Sequence, residues 1–436
     1  MLNIQPYRHA IRVALISALA VVSGCGSNGG AGNSGTGGGS DPVVVTTPPP
    51  STPPSGSGQT PAPAGSGDFS IPADIADNFP TANAIEPYAV GLAEQGQLPP
   101  DSGDPVGAFR LTCPGSAAVV GQFDPMVYPG QAKAGHIHTF GVNNGITPNS
   151  TYATLRTTGS GCNAPASIAV YRSAFWFPSM LDGAGNAVMP DYFNTYYKQL
   201  PASSPDCKIR AAGGCVPLPN GLRFIEGWNA TTMTGGPGGY FECWIDDNQS
   251  QRVPGTGRTG SIATLVQQGC GAGRLLVYQT GGPECWDGKN VDSADHRSHV
   301  AYPNRAVTGL TTSGGNSNYG CPTTHPYLIP MISIRLVFTT DANFAAGKWK
   351  FSCDDMAGGV AGSCGHFDYW EAWSPTVKAT WQKYCIDAHK SCSGGDLGNG
   401  KQLKGASQPV YGWKNPNRIV PVPKNGSTSM ASMLGM

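Results

Sequence analysis

Cysteine content constrains the fold of this chain more than any other sequence feature. Of its 13 cysteines, twelve lie between residues 113 and 392, and no two of them show the Cys-x-x-Cys spacing of zinc ribbons or redox sites. An even number predicts six disulfides if the chain folds in an oxidising compartment, and each would stabilise a loop-rich domain by restricting its unfolded state. The local pairs that we expect first are Cys207–Cys215, Cys353–Cys364 and Cys385–Cys392.

The N-terminus has the pattern of a lipoprotein signal peptide. Arg8 and Arg12 give a positive region, Val13 to Val22 form a short apolar stretch, and small residues lead to Cys25. We expect Cys25 to carry lipid, whereas the alternative is a plain secretory peptide with an incidental cysteine. Gly26 after this cysteine is typical of sorting to the outer membrane. The prediction is an exported lipoprotein at the outer membrane or cell surface.

Composition divides the chain into four regions. Residues 1–24 are the predicted signal peptide, and 25–67 are the lipid-attachment cysteine and a Gly/Ser/Pro-rich tether that cannot bury enough apolar surface to fold. Residues 68–415 form one β-rich domain with its core at 124–375, and 416–436 are a flexible tail. No segment after the signal peptide approaches the roughly 18 unbroken apolar residues of a membrane-spanning helix.

The domain is predicted to be mainly β. The chain has 61 Gly, 38 Pro and only 12% charged residues, which favours short strands and long ordered loops over helices. We expect one large β-sandwich or jelly-roll-like domain with disulfide-stapled loops and few short helices. The helices expected are Asp74–Phe79 and Val377–His389, and the strands expected are Ala117–Val120, Ile168–Tyr171, Leu275–Gln279, Ile332–Thr339 and Lys348–Cys353.

Net charge argues against a nucleic-acid partner. The full chain has 27 basic and 27 acidic residues, and cleavage of the signal peptide removes two arginines and no acid. The mature chain is therefore close to neutral, whereas a nucleic-acid-binding surface would be basic.

Six of the eight histidines lie in four short motifs, which form the main chemical signal of the sequence. The motifs are Gly135-His136-Ile137-His138, Asp295-His296-Arg297-Ser298-His299, Thr324-His325-Pro326 and Gly365-His366-Phe367-Asp368. On strands, the two histidines of the first motif share a face, as do His366 and Asp368. The alternative is that each imidazole simply bonds a main-chain carbonyl of a loop-rich fold.

If the motifs meet, two chemistries are open. Imidazoles could bind Zn²⁺ or Cu²⁺, and the predicted metal ligands are His136, His138, His299, His325 and His366. Imidazoles with carboxylates could also transfer protons, and the predicted catalytic residues are Asp295, His296, Asp368, His136 and His138. In the second case Asp295 would orient a histidine ring, and it could pair with Asp368 or Glu371 as in a glycosidase.

Aromatic clusters raise the possibility of a polysaccharide ligand. Exposed rings of Trp176, Trp370 and Trp373 would stack on sugar faces, whereas buried rings would belong to the core. The predicted substrate-binding residues are Trp176, Arg297, His299, His325, His366, Trp370 and Trp373.

Several of these motifs together resemble a secreted family named only as a domain of unknown function, DUF1996. The resemblance rests on Asp124-Pro125 with His136 to Phe140, the block Cys285-Trp286-Asp287-Gly288 to Tyr302-Pro303, Cys321-Pro322 with His325-Pro326, and Gly365-His366 with Asp368, Tyr369 and Trp373. It covers roughly residues 124 to 375. The family is known mostly from fungi, often beside sugar-binding modules, so the resemblance implies an extracellular role and a shared histidine-rich site but no established reaction.

Three functions remain open from the sequence. The chain could be an envelope-anchored enzyme that hydrolyses or eliminates polysaccharide, a Zn²⁺- or Cu²⁺-binding surface protein, or a non-catalytic carbohydrate-binding module. All three depend on whether the histidine motifs, spread over some 230 residues, meet at one cleft.

Overall fold

The structure is a computed structural model that describes residues 79, 84–87, 106–159, 170–236, 238–246, 249–311, 319–404 and 414–422. Cys25 and the tether lie outside the described residues, as do residues 74–78 of the first predicted helix and 168–169 of one predicted strand. Among the helices that are described, none has both the length and the apolar character that a membrane span requires.

Strands dominate the described part of the chain. In chain order they are β1 (Ile85–Pro87), β2 (Gly107–Pro114), β3 (Val119–Gly121), β4 (His138–Val142), β5 (Ala174–Pro178), β6 (Met180–Leu181), β7 (Asn186–Val188), β8 (Tyr192–Gln199), β9 (Gly214–Cys215), β10 (Arg223–Gly227), β11 (Tyr240–Trp244), β12 (Leu275–Gly281), β13 (Cys285–Trp286), β14 (Val300–Ala301), β15 (Arg305–Ala306), β16 (Tyr319–Gly320), β17 (Tyr327–Leu328), β18 (Met331–Thr339), β19 (Lys350–Phe351), β20 (His366–Trp370), β21 (Ser391–Ser393), β22 (Lys401–Leu403) and β23 (Ile419–Pro421).

Helices are few and short, as expected. The α-helices are α1 (Tyr152–Leu155), α2 (Asp206–Arg210), α3 (Ile262–Gln267), α4 (Ala342–Ala345) and α5 (Pro375–Trp381). Ser374 caps α5 by accepting a hydrogen bond from Val377 N, and a π-helical turn over Gln382–Ile386 continues the chain. The helix predicted over Val377–His389 therefore starts two residues earlier and ends three residues earlier than expected.

The two largest sheets pack face to face, so the expected β-rich sandwich is confirmed. One has the strand order β10-β20-β5-β4-β3 and the other β11-β12-β18-β8-β2-β21. Their facing side chains form one core that includes Phe175, Tyr369, Phe193 and Ile334. Gly141 on β4 allows this close packing, because a Cβ there would lie 2.8 Å from the ring of Phe193.

Alternation along the five-stranded sheet directs a second set of side chains to its outer face. Phe140, Trp176 and Trp370 form a smaller core there, together with Phe123 from a loop and Leu155 from α1. Because side chains alternate with a period of two, His366 and Asp368 share this outer face with Trp370. The sheet thus places two of the predicted site residues beside each other, as their spacing predicted.

Several strand predictions are confirmed and others are corrected. The predicted segments Leu275–Gln279 and Ile332–Thr339 fall within β12 and β18. Of the segment predicted over Lys348–Cys353 only β19 is extended, because Asp354 accepts a hydrogen bond from Phe351 N and turns the chain.

The remaining strand predictions were wrong in part. In the segment predicted over Ala117–Val120, Gly115–Ala117 is a 3₁₀ turn and the strand starts at Val119. Of the strand predicted over Ile168–Tyr171, Tyr171 forms only an isolated bridge with Trp373.

Disulfides staple the loops. The three local pairs predicted from the sequence, Cys207–Cys215, Cys353–Cys364 and Cys385–Cys392, are all present. Two longer connections, Cys243–Cys270 and Cys285–Cys321, join them. Cys113 is also disulfide-bonded, whereas Cys162 lies outside the described residues.

The ordered fold extends into the segment expected to be a loose tail. Strand β23 pairs antiparallel with β7, and Asn415 donates to Pro190 O. Residues 414–422 therefore belong to the domain.

Candidate functional site

A pocket of about 480 Å³ opens beside the outer face of the five-stranded sheet. Strands β4, β10 and β20 contribute to its wall, and the loop residues 292–297 contribute as well. Four of the six motif histidines line it, namely His136, His138, His296 and His366. The charged side chains that also line it are Asp124, Asp292, Asp295, Asp368, Arg223 and Arg297.

Three of these histidines form a compact cluster. The ring centroids of His136 and His138 lie 4.0 Å apart, and His366 lies 5.0 Å from the first ring and 5.9 Å from the second. All three are buried, with exposed fractions of 7%, 2% and 4%. The first and fourth histidine motifs, separated by more than 220 residues, thus meet at one point.

Each histidine of the cluster has an acceptor at Nδ1. His138 Nδ1 lies 2.9 Å from Phe123 O, and His366 Nδ1 lies 2.8 Å from Cys364 O. His136 Nδ1 lies 3.0 Å from Ser352 Oγ, whose own proton goes to Ile137 O at 2.5 Å. Since a carbonyl can only accept, the proton of each ring resides on Nδ1, and Nε2 carries a lone pair.

Burial keeps these rings neutral. It lowers the pKa of His136 to about 4, although a hydrogen bond to the Ile137 carbonyl acts in the opposite direction. Burial, together with the neighbouring imidazoles, holds the pKa values of His138 and His366 well below the usual range. Neutral imidazoles with a free Nε2 are the form in which histidine binds a metal ion.

Two buried atoms of the cluster have no hydrogen-bond partner among the described residues, His138 Nε2 and Asp368 Oδ2. Asp368 Oδ2 also lies 3.8 Å from His366 Nε2. One potential ligand atom each from His138, His366 and Asp368 lies within 4.8 Å of the others. Such an arrangement fits a cation, because unpaired polar atoms inside a protein are costly.

A second group of neighbouring donors fits a metal less well. His136, His366 and Cys353 also have potential ligand atoms within 4.8 Å of one another. Cys353, however, forms a disulfide with Cys364, and only a thiolate is a strong metal ligand. The candidate metal centre therefore consists of His138, His366 and Asp368, with His136 beside them.

Two carboxyls of the pocket are shielded from water. Burial raises the pKa of Asp368 well above its usual range, and the neighbouring Asp124 adds to this effect. Burial also raises the pKa of Asp124, which accepts hydrogen bonds from Met126 N, Val127 N and Trp176 Nε1. Hydrogen bonds from its own turn and from Trp176 thus fix Asp124, whereas Asp368 Oδ2 has no hydrogen-bond partner among the described residues.

The fourth histidine of the pocket belongs to a separate dyad. His296 Nδ1 lies 2.7 Å from Asp292 Oδ1, and Arg223 holds the other oxygen of that carboxylate at 2.5 Å. Burial raises the pKa of Asp292, but the hydrogen bond to His296 and the charge of Arg223 lower it by more. The net pKa of Asp292 therefore lies below its usual value. A carboxylate that fixes one imidazole nitrogen leaves the other available as a general base.

The dyad corrects the expected role of Asp295. Its Oδ1 accepts hydrogen bonds from Arg297 N at 3.0 Å and Ser298 N at 2.9 Å, and from the hydroxyls of Ser293 and Ser298. Burial opposes ionisation, but these bonds lower the pKa of Asp295 far below its usual value. Asp295 lines the pocket, yet it orders the turn that carries His296 and is unsuited to act as an acid.

The two remaining predicted metal ligands do not reach this cluster. His299 is buried outside the pocket, with Nδ1 2.8 Å from Ser293 Oγ. His325 Nε2 lies 2.9 Å from Ser298 O, and its Nδ1 lies 2.9 Å from Thr324 Oγ1. His299 thus lies in the turn that follows Ser293, with its Nε2 buried and without a hydrogen-bond partner among the described residues, and His325 lies on the far side of that turn. The five predicted metal ligands therefore do not form one cluster, and any role of these two residues in binding a metal or a substrate stays a prediction.

The tryptophans form core and no stacking platform. Trp176 and Trp373 have no exposed surface, and Trp370 is 3% exposed. Trp373 Nε1 donates to Tyr197 Oη at 3.0 Å, and the guanidinium of Arg223 lies over the ring of Trp370. The predicted sugar-stacking role of all three is therefore corrected.

Some of the residues that line the pocket carry little signal in the sequence. Asp292 and Asp124 both contribute carboxyls to the lining, although neither is among the site residues predicted from the sequence. Trp228, at 3% exposed, and the half-buried Arg223 also line the pocket. Spacing could have suggested only Asp292, which lies four residues before His296.

Comparison with known proteins identifies the family. Neither the curated proteins nor the solved structures gave a significant match to this chain. The family description "Domain of unknown function (DUF1996)" matches residues 124–373, a span that includes all the pocket-lining residues named above. Since the match covers more than half of the sequence, the chain belongs to the DUF1996 family.

Proposed function

We propose that this protein binds a divalent transition-metal ion, Zn²⁺ or Cu²⁺, through His138, His366 and Asp368. One observation carries the proposal: His138 Nε2 and Asp368 Oδ2 are buried without hydrogen-bond partners beside a third donor. A cation would bind both atoms at once and would offset the cost of burying the carboxylate.

The surroundings of the three ligands support the same function. Nδ1 of each histidine faces a carbonyl or hydroxyl oxygen, which is the second-sphere arrangement that orients metal-binding imidazoles. Two nitrogens and one carboxylate oxygen suit Zn²⁺ and Cu²⁺ better than the hard cations that prefer all-oxygen sites. His136 completes the set as a fourth ligand or as a group that contacts a metal-bound molecule.

Metal titration tests the proposal. Protein purified without chelator, and then stripped and reloaded, is expected to take up one Zn²⁺ or Cu²⁺ per chain in elemental analysis and calorimetry. Asp368→Asn and His138→Gln should each weaken binding at least about tenfold, because each removes a ligand. A protein that takes up neither metal in either assay would contradict the proposal.

His325→Gln is the matched control. His325 belongs to the same histidine-rich sequence pattern but bonds Ser298 O outside the pocket. Its replacement should leave metal stoichiometry and affinity unchanged. Equal loss in His325→Gln and His138→Gln would assign the metal to a different place.

A second candidate function, action on polysaccharide, is favoured by the dyad in the same pocket. His296 and Asp292 supply an oriented imidazole, and the pocket has room for a sugar unit beside the proposed metal. In this function His296 would move the proton, and the metal would polarise the group under attack. Asp292 takes the orienting role that the sequence had suggested for Asp295.

Product release from polysaccharides tests the second candidate. Metal-loaded protein is incubated with envelope and plant-type polysaccharides, and new reducing ends and unsaturated products are measured. Asp292→Asn should lower the rate about 100-fold or more while metal binding persists, because a misoriented imidazole loses most of its effect. Binding without product from any polymer would favour a non-catalytic role.

Export and lipid anchoring complete the proposal. They rest on the N-terminal pattern of charge, apolar length and cysteine position, which the structure does not describe. Cys25→Ala should abolish palmitate labelling and shift the protein from the membrane fraction to the soluble fraction. Unchanged membrane association with no label in the wild type would contradict lipid attachment.

A further inference from the structure

A second pocket lies next to the first and is separated from it by Arg297. Its volume is also about 480 Å³, and both pockets are lined by Arg297 and Ile225. The second pocket is further lined by Glu226, Tyr302, Gly236 and Gly238. Since Ile225 and Glu226 are neighbours on β10, the two pockets open at the same edge strand of the five-stranded sheet.

Glu226 offers a buried carboxyl to this second pocket. Its side chain is 4% exposed, and Thr280 Oγ1 donates to its Oε1. Tyr302 Oη lies 3.3 Å from Glu226 Oε2 but only 2.8 Å from Gly281 O. A phenol has one proton and the carbonyl is the closer acceptor, so Oε2 retains capacity for a ligand hydroxyl.

The protonation state of Glu226 agrees with this environment. Burial raises the pKa of Glu226 well above its usual range, although the neighbouring phenol of Tyr302 and the charge of Arg297 act in the opposite direction. This shift favours the neutral acid, and a neutral carboxyl both donates and accepts hydrogen bonds. Gly238 makes room for it, because a Cβ there would lie 2.2 Å from Glu226 Oε2.

Arg297 places a positive charge between the two pockets. Its Nη1 donates to Gly227 O at 3.0 Å and its Nη2 to Trp228 O at 3.3 Å. Both acceptors are neutral, and within the described part of the chain no carboxylate lies within ion-pair distance of this guanidinium. The guanidinium has five N–H donors in all, so others remain for a ligand oxyanion.

We propose that the second pocket binds an adjoining unit of an acidic, uronate-type polysaccharide, whose carboxylate faces Arg297 and whose hydroxyl faces Glu226. This proposal rests on the polysaccharide function proposed for the first pocket. Planar guanidinium groups bind carboxylates through paired hydrogen bonds, and the half-exposed ring of Tyr302 offers apolar surface to a sugar face. A chain that crosses Arg297 would place one unit near the metal and dyad and the next unit beside Glu226.

Binding of galacturonate oligomers tests the proposal with defined probes. The metal-loaded full chain is titrated calorimetrically with galacturonate, tetragalacturonate and fully methyl-esterified tetragalacturonate. The tetramer is expected to bind at least about tenfold more tightly than the monomer and than the ester, because only it offers both chain length and charge. Arg297→Gln should abolish the preference for the acid over the ester, and Arg297→Lys should retain part of it.

Filling the second pocket separates this proposal from the function of the first. Gly236→Trp adds a large side chain where a Cβ meets no atom within 4 Å, and Gly257→Trp is the control at an equally open glycine elsewhere. Only Gly236→Trp should weaken tetramer binding about tenfold, while metal affinity and monomer binding persist. Equal affinity for acid and ester, or full tetramer affinity in Gly236→Trp, would overturn the proposal even if metal titration succeeds. Failure of the wild-type protein to bind Zn²⁺ or Cu²⁺ would instead contradict the proposed metal centre.

Discussion

His138 and His366 face each other at nearly a right angle, with an interplanar angle of 80° and ring centroids 5.9 Å apart. One ring is anchored by Phe123 O and the other by Cys364 O, so neither can rotate its Nδ1 away without losing a bond. Two fixed lone pairs therefore lie beside the carboxyl of Asp368, an arrangement that could hold a metal ion and that costs free energy when these polar atoms are buried without a partner.

The buried histidines predict a strong pH dependence of stability in the metal-free protein. Burial lowers the pKa values of His136 and His299 from 6.5 to about 4. Between these pH values the unfolded chain binds a proton at each position and the folded chain does not. Each of these two histidines should therefore lower the free energy of unfolding as pH decreases from 6.5 to 4, by up to about 1.4 kcal/mol per pH unit. The buried carboxyls of Asp124, Asp368 and Glu226, whose pKa values are raised, contribute a change of the opposite sign.

Urea unfolding of chelator-treated protein at several pH values between 7 and 4.5 measures this slope. His299→Asn should remove the contribution of one histidine to the slope of unfolding free energy against pH, because an amide does not titrate in this range. Equal slopes in His299→Asn and the wild type would refute the burial of this ring as a neutral group.

The ion pair of Lys378 and Glu371 predicts a large stability effect far from the chemistry of the pocket. Lys378 Nζ lies 2.8 Å from Glu371 Oε1, and the carboxylate also accepts Gly221 N at 2.6 Å. Both side chains are buried, at 6% and 0% exposed. Lys378→Met should lower the free energy of unfolding by about 3–5 kcal/mol, because Glu371 would stay buried without its cation.

A surface pair supplies the comparison. Lys350 Nζ lies 2.7 Å from Asp355, whose side chain is 73% exposed. Lys350→Met should change the free energy of unfolding by less than about 1 kcal/mol. Denaturant titrations of both variants at pH 7 measure the difference, and similar losses would argue against the burial of the Lys378 pair.

Local pattern predicted the parts of the fold and site that depend on neighbouring residues. Alternation of apolar and polar residues in the segment of β18 predicted a strand, and the spacing of His366 and Asp368 predicted a shared face. Disulfides between cysteines 7 to 11 residues apart were also predicted, because short loops favour closure.

Tertiary packing decided what the sequence left open. Trp176 and Trp370 were predicted to stack on sugars, which would require the outer face of their sheet to be exposed to solvent. In the structure, loop residues around Phe123 cover that face and bury both rings. Asp292 and Asp295 are equally plausible partners for His296 by composition. The hydrogen bonds of the turn assign Asp295 to main-chain nitrogens and leave Asp292 for the ring.

The close contact between Gly141 and Phe193 predicts that even a methyl side chain at position 141 lowers the stability of the fold. A Cβ at Gly141 would lie 2.8 Å from the ring, between the two packed sheets. Gly141→Ala should lower the free energy of unfolding by about 1–3 kcal/mol, since overpacking forces a buried ring to move. Gly271→Ala, where a Cβ meets no atom within 4 Å, should remain within about 0.5 kcal/mol of the wild type in the same denaturant assay.

The disulfide Cys353–Cys364 should control the affinity of the proposed metal centre through its neighbours. Ser352 Oγ is the acceptor for His136 Nδ1, and Cys364 O is the acceptor for His366 Nδ1. Both acceptors are thus held at the ends of one crosslinked loop of sequence separation 11. Cys353→Ser with Cys364→Ser should weaken Zn²⁺ or Cu²⁺ binding about 10–100-fold, because second-sphere partners fix the orientation of ligand rings.

Loss of any disulfide also destabilises the fold, so the comparison needs a second crosslink. Cys207–Cys215 closes a loop of similar length, with sequence separation 8, in a separate core of its own. Both double-serine variants should lose about 2–4 kcal/mol of unfolding free energy. Only the variant at Cys353 and Cys364 should lose metal affinity when both are titrated well below their unfolding temperatures. Equal metal affinities in the two variants would mean that the rings of His136 and His366 keep their orientation without this loop.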